Sequence, residues 1–355
     1  MKKIRVAILF GGKSAEHEVS LKSARNVAEA IDKDKYEVVL IGIDKAGHWL
    51  PPAKSSQLLK EISVPASGTS MALAPGENGL MQSTEEPNAG SIDVVFPILH
   101  GPFGEDGTVQ GLLRLANVPF VGAGVLGSAV GMDKDVMKRL LRDAGVPIGA
   151  FLTATETTPV DFETAKTKLG LPLFIKPANL GSSVGVSKVE TEEGFNTAVA
   201  EAFSFDTKIL IEAFIKGREI ECSVLGNESP IASLPGEVVV HSDFYSYESK
   251  YLDAEGSSIQ IPADLPAELI KKVQETAVCA YKALCCEGMG RVDSFVTEDG
   301  QVIVNEINTI PGFTNISMYP KMWEASGVSY SELIDRLINL ALERHEKQQK
   351  LRTHK

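Results

Sequence analysis

Apolar positions along the chain fall into short dense runs separated by glycine- and proline-rich breaks, the rhythm of buried strands alternating with amphipathic helices. Residues 4–10 (IRVAILF) read as a buried strand, Gly11-Gly12 turn the chain, and a helix follows over about 20–31. Residues 37–42 (EVVLIG) form a second strand, so the chain opens as β-α-β with a parallel sheet. The stretch 51–91 is rich in Pro, Gly, Ser and Glu and reads as an excursion over the surface. Buried strands resume at 92–99 and 118–121.

A second unit begins with an amphipathic helix over 133–144, closed by Gly145 and Pro147. Strand-like runs at 172–176, 184–189, 208–212 and 218–225, with a helix over 192–203, predict an α+β arrangement. Residues 245–255 are aromatic, charged and without period, which marks a long loop; helices are expected over 266–284 and 330–347.

The most specific pattern lies between those last two helices. Asp299-Gly300 separates two apolar runs, the signal of a hairpin with a two-residue turn. Counting outward from that turn sets Asp293 opposite Glu306 and Arg291 opposite Asn308, all four on one face. Opposed side chains have Cβ atoms about 5 Å apart. Two carboxylates at that separation call for a cation, and carboxylates with an amide oxygen suit Mg2+ or Mn2+ rather than zinc. The flanking Val292, Phe295, Val296, Val302, Ile303 and Val304 are too apolar for a solvated ribbon of ordinary charges. Arg291 beside such a site suits phosphate chemistry and the stabilisation of developing negative charge.

Composition narrows the class. The 355 residues exceed one ordinary core, so two or three domains are expected. A net charge of −12, from 35 basic and 47 acidic residues, argues against nucleic-acid or anionic-membrane partners. Cys222, Cys279, Cys285 and Cys286 show no C-x-x-C spacing and read as reduced packing residues of a cytoplasmic protein. The apolar run after Met1-Lys-Lys is too short for a signal peptide, and no stretch is long enough to span a membrane.

Other segments carry weaker signals. Residues 122–127 (GAGVLG) fit G-x-G-x-x-G, but the preceding strand is short and Asp143 falls inside a helix, so a glycine-rich interdomain hinge is the better reading. Lys176 followed by Gly181-Ser182-Ser183-Val-Gly185 is a strand ending in lysine and then an anion nest or a flexible turn. The usual phosphate loop is absent, because Ala7 stands where its first glycine belongs. Glu16 and His100 each follow a strand, where ligands of α/β sheets gather. On helical pattern alone Lys134 is a surface lysine.

Several segments coincide in order: Gly11 to Ser20, His100-Gly-x-x-Gly-Glu-Asp-Gly107, Met132-Asp-Lys134, Ile175-Lys176-Pro, Gly181 to Gly185, Tyr245-x-Tyr-x-x-Lys250-Tyr251, Arg291-x-Asp293, and Glu306-x-Asn308-Thr-x-Pro-Gly312. Together they resemble the D-alanine–D-alanine ligases over about residues 4 to 345. The resemblance implies an ATP-grasp fold: a pre-ATP-grasp parallel-sheet domain (1–122), a central lobe (123–216), and a C-terminal lobe (217–355) with the metal site and a mobile loop at 240–255. It implies ATP, two Mg2+ or Mn2+ ions, two D-alanine substrates, a homodimer, and a cytoplasmic role in peptidoglycan precursor synthesis.

By the same resemblance Lys134, Lys176, Ser183 and Lys250 would meet ATP phosphates or close over them. Glu212, Ala213, Ile215, Glu219, Phe295 and Asn305 would surround the nucleotide. Asp293, Glu306 and Asn308 would hold the metal. Glu16 would bind the ammonium of the first D-alanine, linked through Ser182 and Tyr251. Val19, His100, Ser317 and Met318 would contact substrate, and Arg291 with the Gly312 N–H would meet the oxyanion. Lysine is frequent in the family where Ala213 stands. Tyr251 argues against relatives that use D-lactate as second substrate. On these grounds Arg291→Ala is expected to fold normally and lose turnover.

Overall fold

The computed structural model describes residues 2–61, 71–73, 79, 81–83, 90–240 and 257–352. The chain opens with β1 (Ile4–Gly11), α1 (His17–Ala30), β2 (Tyr36–Ile43), α2 (Pro52–Glu61), β3 (Met71–Leu73), β4 (Met81–Ser83), β5 (Val94–Ile98) and α3 (Thr108–Leu115). The strands order as β2-β1-β5, all parallel. Val6 to Phe10 have no exposed surface, as expected of a strand covered on both faces. The 51–91 stretch departs from its surface-loop reading: its first third is the helix α2, whose Leu58 and Leu59 enter the core. Residues 118–121 contribute an isolated parallel bridge, Val95 to Phe120, because a proline at 119 limits the pairing.

Next come α4 (Val125–Met132), α5 (Lys134–Asp143), β6 (Phe151–Thr155), α6 (Phe162–Leu169), β7 (Leu173–Pro177), β8 (Ser187–Val189), α7 (Glu192–Phe203) and β9 (Lys208–Ala213). Their strands form an antiparallel sheet ordered β6-β9-β7-β8. Asp133 caps α5 by accepting from the Val136 N–H. The glycine run at 122–127 leads into α4. Gly127 lies inside that helix, and a Cβ there would stand 2.7 Å from the Cys285 carbonyl oxygen. Close packing is what this glycine provides.

The third group is β10 (Arg218–Leu225), β11 (Ile231–Ala232), β12 (Gly236–Val240), β13 (Ser257–Gln260), α8 (Ala267–Ala283), β14 (Met289–Val296), β15 (Val302–Asn308), α9 (Met318–Ala325) and α10 (Tyr330–Gln349). An antiparallel sheet runs β13-β12-β10-β14-β15, with β11 also on β10. Helix α10 returns to the start of the chain: Leu333, Ile334, Leu337 and Ile338 share one core with Val6, Ile8, Phe10 and Phe96. Two cysteines depart from the packing role expected of them: Cys222 and Cys286 are buried, whereas Cys279 and Cys285 are exposed. Among the described residues, no helix is long and apolar enough to cross a membrane.

Candidate active site

The β14–β15 hairpin builds one wall. Arg291 pairs with Asn308 and Asp293 with Glu306, the pairs expected from the sequence. The route to that register differs. The turn closes with Thr297 N–H to Gln301 O at 3.0 Å and Gly300 N–H to Thr297 O at 2.9 Å, one residue longer than a two-residue loop. A bulge between Asp293 and Ser294 then absorbs one residue on the opposite strand. The two offsets cancel, so the outer pairs survive a wrong turn length. The bulge also leaves Asn305 unpaired on β15, and its amide oxygen accepts from Lys176 at 3.5 Å.

β10 adds a third carboxylate to this row, for Glu221 pairs with Asp293. Glu221, Asp293 and Glu306 therefore stand side by side, and cations hold them together. Arg291 donates to Asp293 at 2.8 and 2.7 Å, and its Nε lies 2.9 Å from Glu221. Burial opposes the Arg291 charge, but Asp293 and Glu221 more than offset this and raise its pKa above the ordinary value. Lys134 faces Glu306 at 3.5 Å and donates to the Leu180 carbonyl at 2.5 Å. Lys134 is buried, so the surface reading of its helix pattern fails. Asp133 turns it inward by starting α5 there.

Asp293, Glu306 and Asn308 are hard oxygen donors, a set that fits Mg2+ or Mn2+. The Asn308 amide as placed donates its N–H to Asp293 at 2.9 Å. A half-turn of that amide presents its oxygen instead. Among the described residues no group of three or more His, Cys, Asp or Glu side chains could hold a metal, so the site offers two carboxylates and an amide.

A cleft of about 420 Å³ opens between this hairpin and the β6–β9 sheet. Lys134, Lys176, Ser182, Ser183, Glu212, Ala213, Ile215, Glu219, Phe295, Asn305, Asp293 and Glu306 all line it. Lys250 and Tyr251 lie outside the described residues. Ser182 and Ser183 both take left-handed backbone (φ 53° and 58°), a strained pair in the loop that covers the cleft. Glu212 is buried between Lys138 at 3.0 Å and Lys176 at 2.7 Å. Burial alone would raise its carboxyl, but the two lysines overcome that and hold it at about 2.

The remaining residues gather beyond the Ser182–Ser183 end of the cleft. Ser182 Oγ donates to Glu16, joining the loop to the turn after β1. His100 Nδ1 lies 3.1 Å from the Ile310 carbonyl, and Glu105 accepts from the Ile310 N–H at 3.2 Å and the Gly101 N–H at 2.8 Å. This clamp fixes the segment that leads to Gly312. A Cβ on Gly312 would fall 2.8 Å from Ser317 Oγ. Ser317 Oγ is in turn held by Thr314, at 2.9 Å from its N–H and 2.7 Å from its hydroxyl. Burial pushes the His100 imidazole below its ordinary pKa against the pull of Glu16. Burial, then the Glu16 charge, pushes Glu105 up to about 8. Val19 is half-buried on α1. Met318 packs its side chain against Val238 and Met322, leaving its backbone for any substrate contact.

Sequence reasoning gave no role to Lys138, Glu105 or Glu221. Lys138 follows Lys134 by four residues, the spacing of one helix face, and that signal was available. Glu221 follows Glu219 by two on a strand, which equally places it on the cleft face.

Residues 5–123 match the family model described as D-ala D-ala ligase N-terminus, and residues 140–339 match D-ala D-ala ligase C-terminus. A D-alanine–D-alanine ligase of Shouchella clausii is 56% identical, covering 99% of this chain and 98% of its own. D-alanine–D-alanine ligase A of Escherichia coli K12 is 54% identical, covering 99% of this chain and all of its own length (100%). Among solved structures, the Coxiella burnetii D-alanine–D-alanine ligase superposes with TM-score 0.87 at 42% identity over 99% of this chain and 97% of that one. The VanG D-Ala:D-Ser ligase of Enterococcus faecalis gives TM-score 0.85 at 37% identity, covering 96% of this chain and 100% of that one. A Bacillus anthracis D-alanine–D-alanine ligase complexed with ATP gives 0.75 at 29%, covering 97% of this chain and 99% of that one.

Proposed function

The chain belongs to the D-alanine–D-alanine ligase family, and on that premise we propose that it joins two D-alanine molecules into D-alanyl-D-alanine at the expense of ATP. The fold is ATP-grasp, and the product serves peptidoglycan synthesis. One observation carries the reading to this chain's own residues. The Ser182–Glu16 hydrogen bond ties the loop over the cleft to the turn after the first strand. It supports the reading of Glu16 as the ammonium-binding carboxylate by joining it to the Ser182–Ser183 loop proposed to cover the phosphates.

The reaction then has two steps. The carboxylate of the first D-alanine, its ammonium on Glu16, attacks the γ-phosphorus of ATP in line, and ADP leaves. Lys134 and Lys176 offset phosphate charge, and Ser183 with its loop N–H groups covers it. Mg2+ or Mn2+ on Asp293, Glu306 and Asn308 would draw further charge from the phosphates. The amine of the second D-alanine, its carboxylate on Ser317, attacks the acyl carbonyl. Arg291 and the Gly312 N–H stabilise the oxyanion, and phosphate departs. His100, held neutral by burial, and Val19 and Met318 shape the amino-acid end. Glu212, Ala213, Ile215, Glu219, Phe295 and Asn305 surround the nucleotide. Lys250 and Tyr251, outside the described residues, are assigned by the family resemblance alone to shielding the acyl phosphate from water.

A division at 1–122, 123–216 and 217–355 is supported by the three large sheets, each of which falls within one span. Two metal ions, a homodimer and a cytoplasmic location are part of the same reading. The test is ADP release with Mg-ATP and D-alanine, with D-lactate and D-serine as second-substrate arms and products identified by mass. The D-alanyl dipeptide as main product is expected. D-alanyl-D-serine or D-alanyl-D-lactate as main product would overturn the second-substrate assignment while keeping the fold.

A further inference from the structure

Lys138 has no part in the mechanism above, yet it is a buried cation in the wall of the nucleotide cleft. It lies one helical turn after Lys134 on α5, with 2% of its side chain exposed. Its ammonium stands 3.0 Å from Glu212 Oε1 and 5.8 Å from the centroid of the Phe151 ring. Phe151 and Phe174 are the strand partners of Glu212 on either side, so all three share one face of the sheet. Lys176 holds the other oxygen of the same carboxylate at 2.7 Å. Two buried lysines thus meet one buried acid.

The two lysines differ in what else they can reach. Lys176 also contacts Asn305 on the metal hairpin and faces the phosphate end. Lys138 is almost wholly buried, with Glu212 and the Phe151 ring as its neighbours. When Lys176 turns to a polyphosphate, Glu212 keeps a counter-ion only if Lys138 stays. A buried carboxylate without one would take up a proton.

That choice of charge decides which purine fits. An ionised carboxylate only accepts hydrogen bonds, so it matches the amino group at position 6 of adenine. The oxo group of guanine at the same place would set acceptor against acceptor in a dry site. A protonated carboxyl could donate to that oxo group instead.

Resting on the reading of this cleft as an ATP site, we propose that Lys138 is a positioning residue for nucleobase selection. It holds Glu212 ionised and aimed at the base while Lys176 serves the phosphates, so that a 6-amino purine is accepted and a 6-oxo purine rejected.

The test is calorimetric titration of the full chain with ADP and with GDP, for the wild type, Lys138→Met, Lys138→Arg and Glu212→Gln. D-alanine-dependent ADP release is followed alongside. The wild type should prefer ADP by more than about a hundredfold, the size of discrimination a hydrogen-bonding pocket supports. Lys138→Met should narrow that preference by at least about tenfold. Lys138→Arg should retain it, and Lys138→Met should shift nothing further in a Glu212→Gln background. Lys138→Gln replaces the methionine variant if the latter does not fold. Equal weakening of ADP and GDP, or no change in either, would overturn the assignment and leave Lys138 a structural cation. A wild type that binds neither nucleotide would instead remove the ATP reading on which the assignment stands.

Discussion

Arg291 is the residue on which most of the site's charge converges. It is clasped by Asp293 through two hydrogen bonds and by Glu221 at 2.9 Å, while Glu306 stands opposite Asp293. Its removal therefore costs more than the loss of the oxyanion donor we propose. Arg291→Ala would leave Glu221 and Asp293 in a three-carboxylate row without their shared cation. Breaking one side of such a partly buried pair costs about 3 kcal/mol. The sequence-based expectation that this variant folds normally thus misses Glu221, whose contact depends on pairing across two strands. Arg291→Lys is the cleaner probe, because it keeps the charge and loses the fork. We expect near-native urea stability with kcat reduced about 100-fold or more, the cost of one oxyanion donor. Turnover within twofold of wild type would dismiss Arg291 from that role. Glu105 supplies a second residue-scale expectation. Its native carboxyl stays protonated up to about 8, whereas the ordinary value is 4.5. A carboxyl raised on folding stabilises fully below its unfolded value and loses that contribution as pH climbs through its folded one. Stability measured by urea unfolding should therefore decline from about pH 5 to pH 8. In Glu105→Gln the decline should flatten; an unchanged slope would assign it to another group.

Elements that rest on local pattern were the legible ones. The helix over 192–203 and the strand over 218–225 need only periodicity and a cap, and both stand at the predicted bounds. The hairpin was legible for a subtler reason. Its outer pairs, which carry the proposed metal ligands, are fixed by both the turn and the bulge, and the bulge at Asn305 has no local sequence signal. Helix α4 was missed because its small and apolar residues leave no polar stripe, and α9 because it is short and holds a proline, Pro320, in its first turn. The glycine run before and within α4 shows the same limit, for its spacing mimics a dinucleotide-binding turn while Gly127 is required by tertiary packing. Gly127→Ala tests that cause. The added methyl would meet the Cys285 backbone at 2.7 Å, so α4 must move. A loss of about 1–3 kcal/mol in unfolding free energy is expected, as for other overpacked sites. Nucleotide affinity should stay unchanged, because Gly127 is absent from the cleft lining. A selective loss of ADP binding at full stability would instead revive a nucleotide role for this run.

At the scale of the whole molecule, the chain's two ends build one core. Helix α10 lays Leu333, Ile334, Leu337, Ile338 and Ala341 against β1, α1 and β5, although more than about 230 residues separate them in sequence. Polar contacts pin the same seam: Tyr36 and Lys35 both reach Asp335, at 2.8 and 3.0 Å. Arg344 donates to the Phe120 carbonyl at 2.7 Å and stacks 4.5 Å from that ring. Phe313 lies at the crossing, buried among Phe96, Tyr319 and Tyr330, with its N–H held by Ser23 at 3.2 Å. It directly follows Gly312, so the core that joins the ends also fixes the backbone of the proposed oxyanion donor. No local pattern announces this, since α10 reads as an ordinary closing helix and its partner is the first strand. The consequence concerns independence. A fragment of residues 1–122 would expose the apolar face that α10 covers, and a small domain cannot spare that burial. We expect the fragment alone to lack a cooperative thermal transition by circular dichroism. Joining residues 329–352 to it through a flexible linker should restore one. Cooperative melting of the isolated fragment would show that the first sheet closes its core without α10. The chain's return would then serve only to place Gly312.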